Sequence, residues 1–327
     1  MENVYKDLFL NPYLPEAEAV DKEVKEAVRL HLIPYYVRAS VIAKHYQSMF
    51  QRAGFYVYLL STLAIGAVAL GILIHSIAPF SYGLEFLMLL LMVTLVFIAH
   101  RKRAHNRWIE NRFLAERIRS AMFFAACGIE VSSISVPPHL GVAHGPTDWM
   151  IKVFHEIWDL VPVRKEYGPK NCPELALYIK KAWIQDQRDY HKATALRCGR
   201  KNRLLERCGL VVFILAMAAA AGHVGIGLLG ENLPAFHFIE GSLTLITLTM
   251  PALGAALGGI RSHREYPRLS KRSENMRAAL EDLERRFSVV ETCEELEFML
   301  RDAEELMLRE CQDWLMLMRF KGVEAAA

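Results

Sequence analysis

His139, His144, Asp148 and His155 carry side chains that ligate divalent cations, and they stand close together in and after the stretch IEVSSISVPPHLGVAHGP. Scattered surface histidines in a Pro-rich loop account for the same residues, so no metal is expected there, and no cofactor. The chain has no GxxxxGK[ST] phosphate loop, no GxGxxG, no GxSxG elbow and no HExxH. An enzyme is therefore not expected. What chemistry remains lies inside apolar stretches. His223 is the ionisable residue deepest in such a stretch, where an unpaired imidazole is costly. Ser61, Thr62, Thr244, Thr247 and Thr249 add hydroxyls that could line a polar path; in apolar helices such hydroxyls also bond to their own backbone carbonyls. Glu85, Glu231 and Glu240 would make carboxylate rings at a pore mouth if copies assembled around an axis, with interfacial solvation as the simpler account.

These residues need long apolar helices to position them, and four segments qualify. Ala53 to Ile77, Phe80 to His100, Cys208 to Leu229 and Glu240 to Ile260 each supply about twenty predominantly apolar residues, enough to cross a hydrocarbon core of roughly 30 Å. No Lys or Arg lies inside any of them. The reading is an all-α membrane protein, two tandem transmembrane hairpins with a helical cytoplasmic region. In order, the chain divides into N-terminal cytoplasmic helices (1–52), a first hairpin (53–100), an exit helix (101–128), a linker with a short helix (129–172), an approach helix (173–207), a second hairpin (208–260) and C-terminal cytoplasmic helices (261–327).

Orientation follows from the basic flanks. Arg38, Lys44 and Arg52 precede the first segment and Arg101, Lys102, Arg103 and Arg107 follow the second, while the turn between holds no Lys or Arg. Arg197 to Arg207 and Arg261 to Arg272 repeat the pattern around the second pair. Both termini and the middle segment are thus predicted to be cytoplasmic, in a multi-pass protein of the plasma (inner) membrane. The basic clusters would also suit anionic lipid headgroups or an anionic signalling ligand. Six cysteines, none in a CxxC pair, all fall on that side or at its boundary and read as free thiols. With 39 Lys and Arg against 36 Asp and Glu, the net charge of +3 gives no reason to expect nucleic acid as a partner.

The two hairpins look like copies. Tyr35, Arg52, Gly54, Val57, Leu60 and Ala64 recur in register as Tyr190, Arg207, Gly209, Val212, Leu215 and Ala219, and Glu116, Arg119 and Ala121 recur as Glu274, Arg277 and Ala279. Small residues one helical turn apart let helices approach closely where lipid offers no hydrophobic drive. Ala67 and Gly71, Ala218 and Gly222, Ala221 and Gly225, Gly254 and Gly258, and Ala255 and Gly259 have that spacing. The second segment, bulky all round, is expected to face lipid while the first, third and fourth pack inward, with a kink at Pro251.

A two-span hairpin with a short outer turn, a basic exit, and then Trp108, Arg112 and Glu116-Arg117-Ile118-Arg119-Ser120 resembles the SLATT family, the SMODS-and-SLOG-associating two-TM effector proteins of bacteria. The approach Tyr35-Tyr36-Val37-Arg38-Ala39 through Tyr46 to Arg52-Ala53-Gly54 is similar too. The likeness covers roughly residues 30 to 125, and more weakly 185 to 290. It implies a membrane effector of prokaryotic conflict systems that assembles into pores when a nucleotide-synthesising or nucleotide-sensing partner is triggered. This chain departs from that pattern in having two hairpins and no recognisable nucleotide-sensing or cyclase domain. The expectation is a homo-oligomeric pore or channel-like effector in the lipid bilayer, opened by a cytoplasmic signal. A secondary transporter and a membrane-anchored sensor or scaffold without a pore are the alternatives.

Overall fold

Asp21 starts the first helix. Its side chain accepts from the Glu23 amide at 2.8 Å, and Lys22–His31 (α1) places Glu23 in its first turn and Arg29 and His31 in its last, as the helix dipole favours. Leu32 alone separates α1 from Ile33–Leu73 (α2), where Pro34 occupies the first turn and its missing N–H costs nothing. The computed structural model describes residues 18–131, 148–161, 171–229 and 236–319. Glu231, His139 and His144 lie outside the described residues, as does the side chain of Asp148. Among the described residues every regular element is helical, and four helices are long and apolar enough to cross a membrane.

After α2 a short turn, His75–Ile77, leads to Ala78–Arg101 (α3), and two residues later Ala104–Ala126 (α4) begins. Gly128, at φ 63°, ends α4 in the left-handed conformation that an L side chain resists. Asp148–Trp158 (α5) is followed by Cys172–Ile179 (α6), capped by Asn171. A widened π turn, Lys180–Gln185, carries α6 directly into Asp186–Leu229 (α7). Phe236–His263 (α8), Tyr266–Phe287 (α9) and Cys293–Arg319 (α10) complete the chain. Thr292 and Glu295 form a capping box at α10: the Glu295 amide donates to the Thr292 hydroxyl, and the Thr292 amide donates back to the Glu295 carboxylate, each at 3.2 Å.

Two units emerge. One draws on the described residues of Met1–Gln47, His105–Ala193 and Arg272–Lys321, the other on Ser48–Ala104 and Thr194–Lys271. The first is a helical globule with α4 at its centre. A single apolar stripe, Ile109, Phe113, Ile118 and Met122, marks α4 in the sequence, yet every residue from Ser120 to Cys127 is buried. Phe123 stacks on Trp183 of the π turn, rings parallel within 4° and centroids 4.8 Å apart. α10 adds Leu296, Leu300 and Ala303 to this core, and α9 adds Leu280 and Leu283.

One expectation fails here. Cys172 and Cys293 are joined by a disulfide across 121 residues of sequence, their Cα atoms 5.3 Å apart, whereas Cys127, Cys198 and Cys208 are free thiols. Spacing along the chain could not reveal the pair, because both cysteines are the first residues of helices that only the tertiary fold brings together. Closing so long a loop restricts the unfolded chain, worth about 2–4 kcal/mol. Reductant is therefore expected to lower the melting temperature of the protein and to leave that of a Cys172→Ser variant unchanged, as read by thermal unfolding.

The second unit holds the four span-length segments. The most apolar stretch of the first is 28% buried, and those of the other three are each 6% buried. The expectation that the third and fourth segments pack inward is thus not met by their most apolar stretches within one chain. On α7 Ala219 and Val212 are buried while Ala218, Ala221 and Phe213 face outward, because the small residues cover too narrow a stripe to enclose a whole helix. Matched positions of the two hairpins do share burial: Val57 with Val212, and Ala64 with Ala219. Each hairpin's second helix also ends two residues before a left-handed non-glycine, Arg103 at φ 46° and Glu265 at φ 51°.

Candidate functional site

Within the bundle of span-length helices, the hydroxyls turn back on their own helices. Thr62 donates to the Tyr58 carbonyl at 3.1 Å, Thr244 to Glu240 and Thr247 to Leu243, both at 2.8 Å, and Thr249 to Leu245 at 2.7 Å. Each donor is thereby satisfied without a partner helix or a passing ion. Ser61 and His223 are half-buried. Glu85 on α3 is half-buried and Glu240 on α8 exposed; Arg52, Arg101, Arg103 and Arg207 are all exposed. These residues are not gathered into one cluster.

The glycines are more telling. A Cβ on Gly71 would come 2.9 Å from the Ser81 Cβ inside the first hairpin, and one on Gly222 would come 3.1 Å from Leu243 inside the second. Ala67 is buried, Gly254 lies 3.6 Å from Val212 by the same measure, and Gly258 faces open space. The closest approaches involve Gly259, which has that spacing with Ala255, and two glycines outside the spacing pairs, Gly54 and Gly241. Cβ atoms on Gly54, Gly259 and Gly241 would fall 2.1, 2.2 and 2.4 Å from His263, Tyr58 and Leu73. Together these three contacts form an antiparallel seam between α2 and α8, locking one hairpin to the other. At its basic end the His263 ring lies 4.7 Å from Phe50, and Arg264 donates to the side chain and carbonyl of Gln51. Sequence reasoning missed His263 because the fourth apolar stretch stops before it.

The helical unit contains a different kind of site, a cavity of about 290 Å³ among α2, α4, α7 and α10. Tyr36, Trp108 and Tyr190 give it aromatic walls; Lys44, Arg112, Arg119 and His191 give it nitrogen, and Glu116, Asp186 and Glu310 oxygen. Arg119 is bound by the Glu116 carboxylate at 3.0 Å and donates to the Tyr36 hydroxyl at 2.7 Å, while its ring-side face covers Tyr36. Burial opposes its charge, but the Glu116 carboxylate and Tyr36 outweigh that and hold its pKa above the ordinary value. Glu310 is engaged by Arg272 at 3.3 Å, and Asp186 accepts from Gln187 at 3.0 Å.

His191 is only 5% exposed, and its Nδ1 is buried without a hydrogen-bond partner. Burial first, then the neighbouring Arg112, Arg272 and Arg119, push its pKa down to about 4 against the pull of Glu116. Folding therefore holds this imidazole neutral. The unfolded chain takes up a proton that the folded one refuses, so stability is full above about pH 6.5 and is lost as pH falls towards about 4. A His191→Asn variant is expected to unfold with a shallower pH dependence across that window, measured by denaturant titration at several pH values.

Among the described residues no group of three or more His, Cys, Asp or Glu is placed to bind a metal ion. His155 lies on α5, half-buried beside Phe154. No family model, no curated protein and no solved structure matches this chain.

Proposed function

We propose that the chain is an oligomeric membrane effector. In this reading its four span-length helices cross the plasma membrane as two same-facing hairpins, and its helical unit lies in the cytoplasm and couples a signal to opening. The observation that carries this is the uncovered apolar surface: in a single chain the most apolar stretches of α3, α7 and α8 are 6% buried, with Phe86, Val93 and Phe213 among the exposed side chains. A surface of that kind needs lipid or further copies of the chain. The α2–α8 seam is closed by glycine contacts, so a permeation path would run between copies rather than through one. The basic flanks favour cytoplasmic termini, the shared burial and matched left-handed residues favour duplication, and the resemblance to SLATT effectors supplies the setting of a prokaryotic conflict system with a separate nucleotide-linked trigger.

Purified protein in liposomes is expected to release an entrapped dye or ion. Vesicles that stay tight at every protein density and with every candidate activator would overturn the pore. The self-satisfied hydroxyls favour a second reading, a membrane-anchored sensor without a path, which predicts that tight result together with intact membrane association. The proposed orientation also sets the Cys172–Cys293 bond against the reducing cytosol, where disulfides rarely persist. Acid-quenched cells should then contain both thiols reduced, and an oxidised pair in the cell would place this unit outside.

A further inference from the structure

The cavity of the helical unit combines three features that a merely structural void lacks. It is roomy, about 290 Å³, far beyond a single water and close to the size range of small-molecule sites. The rings of Tyr36, Trp108 and Tyr190 line it. It also keeps hydrogen-bonding nitrogen in hand. His191 Nδ1 and Arg119 Nε are both buried and without partners, a costly condition in a folded chain unless something else comes to meet them.

The balance of charge around that nitrogen decides the kind of visitor. The carboxylates are committed: Glu116 to Arg119, Glu310 to Arg272, and Asp186 to the Gln187 amide. Facing His191 are Arg112, Glu116 and Arg119 from α4 and Arg272 from α9, with Tyr36 and Lys44 of α2 and Glu310 of α10 on the remaining walls. At His191 three guanidiniums outweigh Glu116. Over the whole lining Lys44, Arg112, Arg119 and the adjacent Arg272 meet Glu116, Asp186 and Glu310, four positive charges against three. Lys44 is exposed with no ion pair among the described residues, and the resulting local field is positive. A cation would be repelled by it. A neutral apolar molecule would leave the polar nitrogens unmet.

We infer that this cavity binds a small organic phosphate, with Lys44, Arg119 and His191 taking the phosphate oxygens and the aromatic wall taking the organic portion. Phosphate oxygens accept strongly from guanidinium, ammonium and imidazolium donors. A dianion beside His191 would offset the guanidinium field, so the imidazole would take up a proton as the ligand enters. Binding and proton uptake are thus coupled. The inference goes beyond the effector reading and does not depend on it, because binding is read as heat and not as flux.

The test is calorimetry on the full chain in detergent micelles near pH 6, using inorganic phosphate, ribose 5-phosphate, adenosine 5′-monophosphate and adenosine as probes. Saturable heat is expected from at least one of the two organic phosphates, more weakly from inorganic phosphate, and not from adenosine. That heat should change with the ionisation enthalpy of the buffer, reporting proton uptake. Lys44→Ala, an exposed position whose loss leaves the core intact, is expected to weaken binding about tenfold, the loss of one charge-assisted hydrogen bond. His191→Asn should retain binding while taking up fewer protons per bound ligand than the parent, the remaining exchange being that of the phosphate monoester, whose second pKa is about 6. No saturable heat from either organic phosphate, equal binding of adenosine, or undiminished binding and proton uptake in both variants would overturn the proposal.

Discussion

Replacing Glu304 with alanine is expected to destabilise the helical unit by about 3–5 kcal/mol, the cost of stranding a buried charge. The Arg117 guanidinium meets the Glu304 carboxylate at 2.8 Å, and the two side chains are only 2% and 3% exposed. Arg117 also lies over the Phe154 ring at 4.8 Å, which ties α4, α5 and α10 together. Removing the carboxylate leaves a group that cannot lose its proton and cannot reach water. An apolar pair of similar volume in the same place removes both charges together, so Arg117→Met with Glu304→Leu should recover most of the loss. Denaturant unfolding of the single and double variants measures this directly. A single variant within about 1 kcal/mol of the parent, the level of an exposed ion pair, would show that the pair is hydrated and not part of the core.

The second large effect is expected at Gly259. Its Cβ would fall 2.2, 2.6 and 2.7 Å from three atoms of the Tyr58 ring, so valine there must push α2 and α8 apart or expel the ring. Overpacking of this kind costs about 1–3 kcal/mol, and in lipid no hydrophobic drive returns the helices to each other. Gly258, one residue earlier, has nothing within 4 Å. Gly259→Val is thus expected to lower the melting temperature in detergent and the yield of monodisperse protein, while Gly258→Val leaves both near the parent. Indistinguishable behaviour of the two variants would mean the α2–α8 seam is not closed.

That pair of glycines marks how far sequence reasoning reaches. Gly254 with Gly258 and Ala255 with Gly259 have the same spacing that announces helix contact, yet Gly259 meets Tyr58 and Gly258 meets nothing, while Gly54 and Gly241 make close contacts with no such spacing. Spacing tells which residues share a helix face. It does not tell which face meets a neighbour, because a helix rotation of one residue changes the contact and leaves the composition untouched. The threonines were more legible: hydroxyls in apolar helices bond to their own backbone carbonyls, and Thr62, Thr244 and Thr247 do so at Tyr58, Glu240 and Leu243. The cavity was hidden for a further reason. Tyr36, Arg119, His191 and Glu310 come from four helices spread along nearly the whole chain, and no local pattern links them. The starts of α6 and α10 are by contrast local chemistry: Asn171 caps the first, with Pro173 in its opening turn, and Thr292 with Glu295 caps the second.

The amino-acid order by itself determined that the regular elements of the described residues are helical, that four of these helices are long and apolar enough to span a membrane, and that basic residues flank the apolar stretches. Those properties depend on neighbours within a few turns, on propensity, periodicity and capping. Only the tertiary structure decided that Cys172 meets Cys293, that Arg117 is neutralised by Glu304, that His191 is held neutral in a field of arginines, and that Tyr58 lies against Gly259. Each of these joins residues far apart in the chain, and such pairings follow from the packing of whole helices against one another, which no local stretch specifies.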